Sequence, residues 1–125
     1  MKALWCVVLV ALSVSCKDEA ARPAAAVAAA ELQGGTQVVR VRVTDMGYVP
    51  KAVELKAGVP ARLIFIQESK GECGAQVHLP AFNVKKTELP FGKETAVEFT
   101  PAQAGSFQWL CGMDMMKGAI IVKGS

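Results

Sequence analysis

Cys111-Gly-Met-Asp-Met-Met-Lys-Gly118, running straight into the apolar stretch Ala119-Ile-Ile-Val122, decides how the rest of the chain reads. It sets one thiol and three thioethers, Met113, Met115 and Met116, within six residues on a loop between two strand-like segments. Methionine ordinarily fills gaps in cores. Here three of the chain's five gather beside a cysteine, where a turn leaves little core to fill. Thiolate and thioether are soft donors, and soft donors select Cu(I) and ions like it. The loop points to a metal, with copper the first choice.

On the strand leading into the loop, Phe107 and Trp109 share one face and read as core residues. Farther upstream, Val39, Val41 and Val43 alternate with Arg40, Arg42 and Thr44, the period of two that puts one face on a core and one in water. Gly47 and Pro50 punctuate a corner before the short strand Ala52-Val-Glu-Leu55. Leu63-Ile-Phe-Ile66 is apolar throughout and predicts a central or doubly buried strand. Gln67 to Gln76 breaks the pattern with charges, glycines and Cys73. Val77-His-Leu79 resumes it until Pro80. Val84 to Leu89 and Thr95 to Phe99 add two short strands, and Ala119 to Val122 is the last. Seven or eight strands at this spacing, with no helical periodicity, predict an all-β Greek-key sandwich or barrel.

The chain's beginning is different in kind. Lys2 followed by the uncharged run Ala3–Val14 has the charge and length of a secretory signal. It falls short of the roughly 20 apolar residues that span a bilayer. Its end, Leu12-Ser-Val-Ser-Cys16, resembles a bacterial lipoprotein signal, in which the cysteine is acylated and becomes the new N-terminus. A plain signal peptide cleaved elsewhere is the simpler alternative. Residues 1–15 are thus expected to be a signal peptide, 16–35 a lipidated Cys16 with an alanine-rich tether, and 36–125 the folded domain. Eight of the eleven residues from Ala20 to Ala30 are alanine, with no amphipathic face, although a short packed helix is the alternative. These readings place the domain on the periplasmic side, held by lipid to the inner or outer membrane.

Removing the signal takes Lys2 and leaves 13 basic against 11 acidic residues, a balance that argues against nucleic acid as a partner. Of the four cysteines, Cys6 and Cys16 belong to the leader, leaving Cys73 and Cys111 in the domain. An even pair in an exported protein is a disulfide candidate. Disulfide sulfurs would be poor metal ligands, so the two readings compete unless oxidation state gates metal binding.

The loop and the strands together resemble the end of a cupredoxin. More narrowly, they resemble the small cupredoxin-like domains attached to iron-uptake EfeO proteins and copper-transporting ATPases. Those domains carry a Cys-Gly-Met-x-Met signature, here Cys111-Gly-Met113-Asp-Met115, and an upstream cysteine before an apolar segment ending in proline, here Cys73 before Val77-His-Leu-Pro80. Tyr48-Val-Pro50, Gly58-Val-Pro60 and Val97-Glu-Phe-Thr-Pro101 fit the same pattern, so the resemblance runs from Val38 to Val122. A blue-copper site uses two histidines, a cysteine and an axial methionine. The resemblance implies Cys111 as the thiolate and Met116 as the axial thioether. It leaves Met113 or Met115 where the second histidine would stand, and Cys73 nearest the place of the first. His78, the only histidine, lies five residues farther on.

Sulfur in place of imidazole favours the softer Cu(I) over Cu(II). The expected site is Cys111, Cys73 and Met116 with Met113 or His78, holding one copper ion. The expected role is to store that ion or exchange it with a copper-donor or copper-acceptor protein. Competing readings are a cupredoxin-type electron carrier, which the missing histidine disfavours, and a metal-free, disulfide-stapled binding module. No nucleophile arrangement, phosphate loop or HExxH motif supports an enzyme.

Overall fold

The computed structural model describes residues 27–124, so the expected signal peptide and the acylation expected at Cys16 lie outside the described residues. The strands follow in chain order as β1 (Ala28–Ala29), β2 (Glu31–Gln33), β3 (Thr36–Thr44), β4 (Gly47–Val49), β5 (Ala52–Lys56) and β6 (Ala61–Gln67). After them come β7 (Gln76–Leu79), β8 (Val84–Glu88), β9 (Glu94–Phe99), β10 (Gly105–Cys111) and β11 (Lys117–Lys123). The helical content described is two short 3-10 turns, Glu72–Ala75 and Pro80–Phe82.

Two mixed sheets stack as a sandwich. One runs β1-β5-β11-β10-β7-β8, and the other runs β2-β3-β6-β9 with β4 added on β3. The expected all-β architecture is present, with alternation placing residues as the sequence implies. Val41 and Val43 are fully buried while Arg40 and Arg42 face water. β6 is central in its sheet, but it is not buried on both faces. Leu63 and Phe65 point inward at 0% exposure, while Ile64 and Ile66 are half-buried on the other side. Between the sheets, the rings of Tyr48, Phe65 and Trp109 meet edge to face, with centroids 5.4–6.3 Å apart. That arrangement suits the ring quadrupoles.

The boundary expected at Thr36 needs correction. Ala28–Ala29 pairs in parallel with β5, and Glu31–Gln33 pairs antiparallel with β3, so the sandwich starts inside the stretch read as tether. Gly34 and Gly35 are the two-residue turn of that hairpin. Both have positive φ, 56° and 83°, the combination that matches strand twist and favours glycine. Composition concealed these strands because edge pairing uses backbone groups, and alanine shows no period-two pattern.

Register shows which loops share an end. Val43 is level with Gln67 at one end of the β3–β6 pair, and Gln37 is level with Ala61 at the other. β5 and β11 run in parallel with Ala52 beside Ala119, so β5 starts near the loop that follows Cys111.

Candidate metal centre

The loop from Gly112 to Met116 connects β10 to β11, and its frame is set by close approaches. Gly112 lies against Gln76, where an added Cβ would come within 2.7 Å of Oε1. Gly118 lies directly under the Trp109 indole, which would overlap any side chain there. The two glycines thus have a packing role, and Asp114 takes the left-handed conformation at φ 56°. Asparagine and aspartate tolerate that region better than most residues. The Asp114 N–H donates to the Cys111 carbonyl at 3.0 Å, and the Cys111 N–H donates to the Met116 carbonyl at 3.0 Å.

Cys111 ends β10 with 0% exposure, and the Met116 N–H donates to its Sγ at 3.2 Å. Cys73 sits in the 3-10 turn just before β7, and β7 pairs with β10 so that Val77 is level with Cys111. That register brings the two cysteines together. They are joined as a disulfide, with Cα atoms 5.7 Å apart and a sequence separation of 38. Of the alternatives open from sequence, the structure displays the oxidised pair. In that form the sulfurs are not thiolate donors, and two electrons and two protons are needed to release them.

The remaining candidates lie on the loop after Cys111 and on β7. Met116 packs partly buried against the core, whereas Met113 and Met115 are 55% and 74% exposed. Met115 faces water while its neighbour Met116 packs inward. The His78 side chain is 17% exposed, and its Nε2 meets Asp114 Oδ1 at 2.6 Å, tying β7 to the methionine loop. Its first observed partner is therefore a carboxylate of the loop. All five expected site residues thus lie at one end of the sandwich. Among the described residues, no three His, Cys, Asp or Glu side chains gather into a cation-holding group. A hard-ligand cage is not assembled there. The donors brought into contact are the Cys73 and Cys111 sulfurs, which once reduced fit a soft ion.

A polar cluster beneath the Cys73 turn escaped the sequence reading. Gln67, 2% exposed, accepts from the Ser69 N–H at 2.9 Å through Oε1 and donates through Nε2 to the Gly74 carbonyl. Ser69, 5% exposed, accepts from the Gly71 N–H at 3.1 Å and donates to Asp45 Oδ1 at 2.7 Å. The signal for it was present. Ala61, Leu63 and Phe65 point inward, and alternation carries Gln67 to the same face. Beside this cluster, Arg42 makes three hydrogen bonds to the Glu68 carboxylate, which hold it below the usual carboxylate range and raise the guanidinium.

The model of the cupredoxin-like domain family matches residues 5–122. The chain belongs to this family. A solved structure of a copper binding protein in the apo form is 42% identical to this cupredoxin-like chain, covering 76% of it and 95% of that protein, with a TM-score of 0.70. The metal binding domain of the Cu(I) exporting P-type ATPase CopA of Streptococcus pneumoniae D39, solved with Cu(I), is 27% identical. That match covers 78% of this chain and 95% of that one at a TM-score of 0.73. Auracyanin B shares the fold at 17% identity and a TM-score of 0.55, covering 74% of this chain and 92% of its own. A copper nitrite reductase from Nitrosomonas europaea likewise shares the fold alone, at 18% identity over 42% of its length. No curated protein matches the chain.

Proposed function

We propose that this cupredoxin-like chain is an exported copper-binding protein that holds Cu(I) through Cys111, Cys73 and Met116, with Met113 or His78 completing the set. The observation that carries this reading is the meeting of the two cysteine sulfurs beside the Met116 amide, on a loop with two further thioethers. Two relatives add support. The 42%-identical neighbour is a copper binding protein, and the 27%-identical one is a metal binding domain solved with Cu(I). Two equivalents of an external thiol reductant open the disulfide to two protein thiols and are themselves oxidised to a disulfide, and binding of Cu(I) then displaces the protein thiols' protons. The full reading includes a lipid anchor at Cys16 on the periplasmic side of a bacterial membrane and exchange of the ion with a copper-donor or copper-acceptor protein. It assigns the chain storage or delivery, and no catalysis.

Titration of the reduced protein with Cu(I) against a chromophoric chelator tests the reading. One ion should bind, and Cys111→Ser should weaken binding by more than about a hundredfold, beyond the roughly 10–100-fold that loss of a residue merely supporting a ligand costs. No binding by the unsubstituted protein, or an unchanged affinity in the variant, refutes it.

The disulfide supports a second reading, a metal-free stapled sandwich that serves as a binding module. Counting free thiols on protein taken from its native compartment separates the two. Two free thiols exclude the staple, and none excludes resting thiolate ligands.

A further inference from the structure

Cys73 is held by more than its sulfur. The turn that carries it begins where β6 ends, and the buried carboxamide of Gln67 bonds to both sides of that turn, at Ser69 and at Gly74. Gly74 leaves no space for adjustment. An added Cβ would lie 3.1 Å from both Ser69 Cβ and Val43 Cγ1 and 3.2 Å from Gln67 Nε2. Ser69 extends the clamp to Asp45 in the β3–β4 turn. None of these contacts involves the disulfide.

A polar amide at this inward position is costly unless every bond is made, and an apolar side chain of similar size would continue the face of Leu63 and Phe65. What the amide adds is a fixed backbone path from β6 to Gly74. We propose that Gln67 is a positioning residue for Cys73, which keeps the Cys73 thiol facing Cys111 after the disulfide opens. The dithiol is thereby preorganised for a soft ion that the remaining ligands then complete, and less ordering remains to be done on binding. The purpose assigned here rests on the copper-holding reading, but the test has an arm independent of copper.

The test compares Gln67→Met with Gln37→Met. Gln37 is an equally buried glutamine at the opposite end of β3, bonded to the Lys56 and Val59 carbonyls and the Lys56 N–H. Each full-length variant is equilibrated in a glutathione buffer, where protein disulfide plus two glutathione thiols gives protein dithiol plus glutathione disulfide. The two protein forms are then counted after alkylation. Gln67→Met should shift this equilibrium about tenfold toward the dithiol, the equivalent of one buried hydrogen bond. The reduced variant should also bind Cu(I) about tenfold more weakly. Gln37→Met should lower thermal stability and leave both readouts unmoved.

Equal shifts in the two variants, or a Gln67→Met protein that melts earlier with its thiol equilibrium unchanged, would make Gln67 structural only and overturn the proposal. A shifted thiol equilibrium in a protein whose unsubstituted form binds no Cu(I) would uphold the positioning and refute the copper reading. Should Gln67→Met fail to fold, Ser69→Ala removes the bridge to Asp45 and carries the same test, with about a threefold shift expected.

Discussion

At the scale of single residues, chemistry was legible where it depends on residue type and hidden where it depends on neighbours. Cys111, Cys73 and Met116 could be singled out because soft donors rarely gather without cause. His78 could not be placed, because its partner Asp114 lies 36 residues away and only the fold brings them together. Tyr48 was equally silent, an ordinary corner residue in sequence and a fully enclosed ring in the structure. Its hydroxyl is buried with no hydrogen-bond partner among the described residues, and burial pushes its pKa from 10 up to about 12. The unfolded phenol ionises first as pH rises, so this contribution is intact below pH 10 and is lost between about pH 10 and 12, up to about 2–3 kcal/mol. As Tyr48 is the only tyrosine, tyrosinate absorbance reads it directly. Ionisation of the folded protein near pH 10 would contradict its enclosure.

At the scale of elements, strands with a clear period of two were readable, whereas β1 and β2 were not. Ala28–Ala29 and Glu31–Gln33 have no alternation, and only neighbouring strands give them their conformation. The loop between β10 and β11 was found as a loop, but its tie to β7 required coordinates. Among the described residues, the His78–Asp114 contact is the one side-chain bond between that loop and β7, beside the backbone bond from the Gly112 N–H to the Gln76 carbonyl. Breaking it should loosen the loop and spare the sandwich. Asp114→Ala is expected to speed amide exchange at Met116 about fivefold, equivalent to about 1 kcal/mol of local opening, with core amides unaffected. His78→Ala should match it. An unchanged Met116 amide in both variants would show that the pair holds nothing.

At the scale of the whole molecule, the sandwich was legible because alternation and turn residues agree along most of the chain, while the oxidation state of its cysteines was not. Spacing gives an even pair, and that is compatible with a bond or a site. The bond closes a 38-residue loop, for which loop-closure entropy predicts about 4 kcal/mol of stabilisation. Urea unfolding with and without a thiol reductant should give unfolding free energies that differ by about that much, with the midpoint lower in reductant. Cu(I) added to the reduced protein should recover part of it, because a ligand of the native state alone stabilises that state. A midpoint indifferent to reductant would mean that the clamp around Gln67 and the aromatic core already hold the domain without the bond.

The direction of β1 has a consequence for geography. Ala28 opens a strand parallel to β5, and β5 starts beside Ala119, just past the methionine loop. The chain therefore enters the sandwich heading away from that loop, and its connection to Cys16 departs from the loop-facing end of β1. Eleven residue steps lead from Cys16 to Val27, a reach of at most about 40 Å. With the acyl anchor proposed at Cys16, the sulfur pole would patrol a thin shell over the lipid headgroups. Its trading partners would be those whose own ports open within that shell.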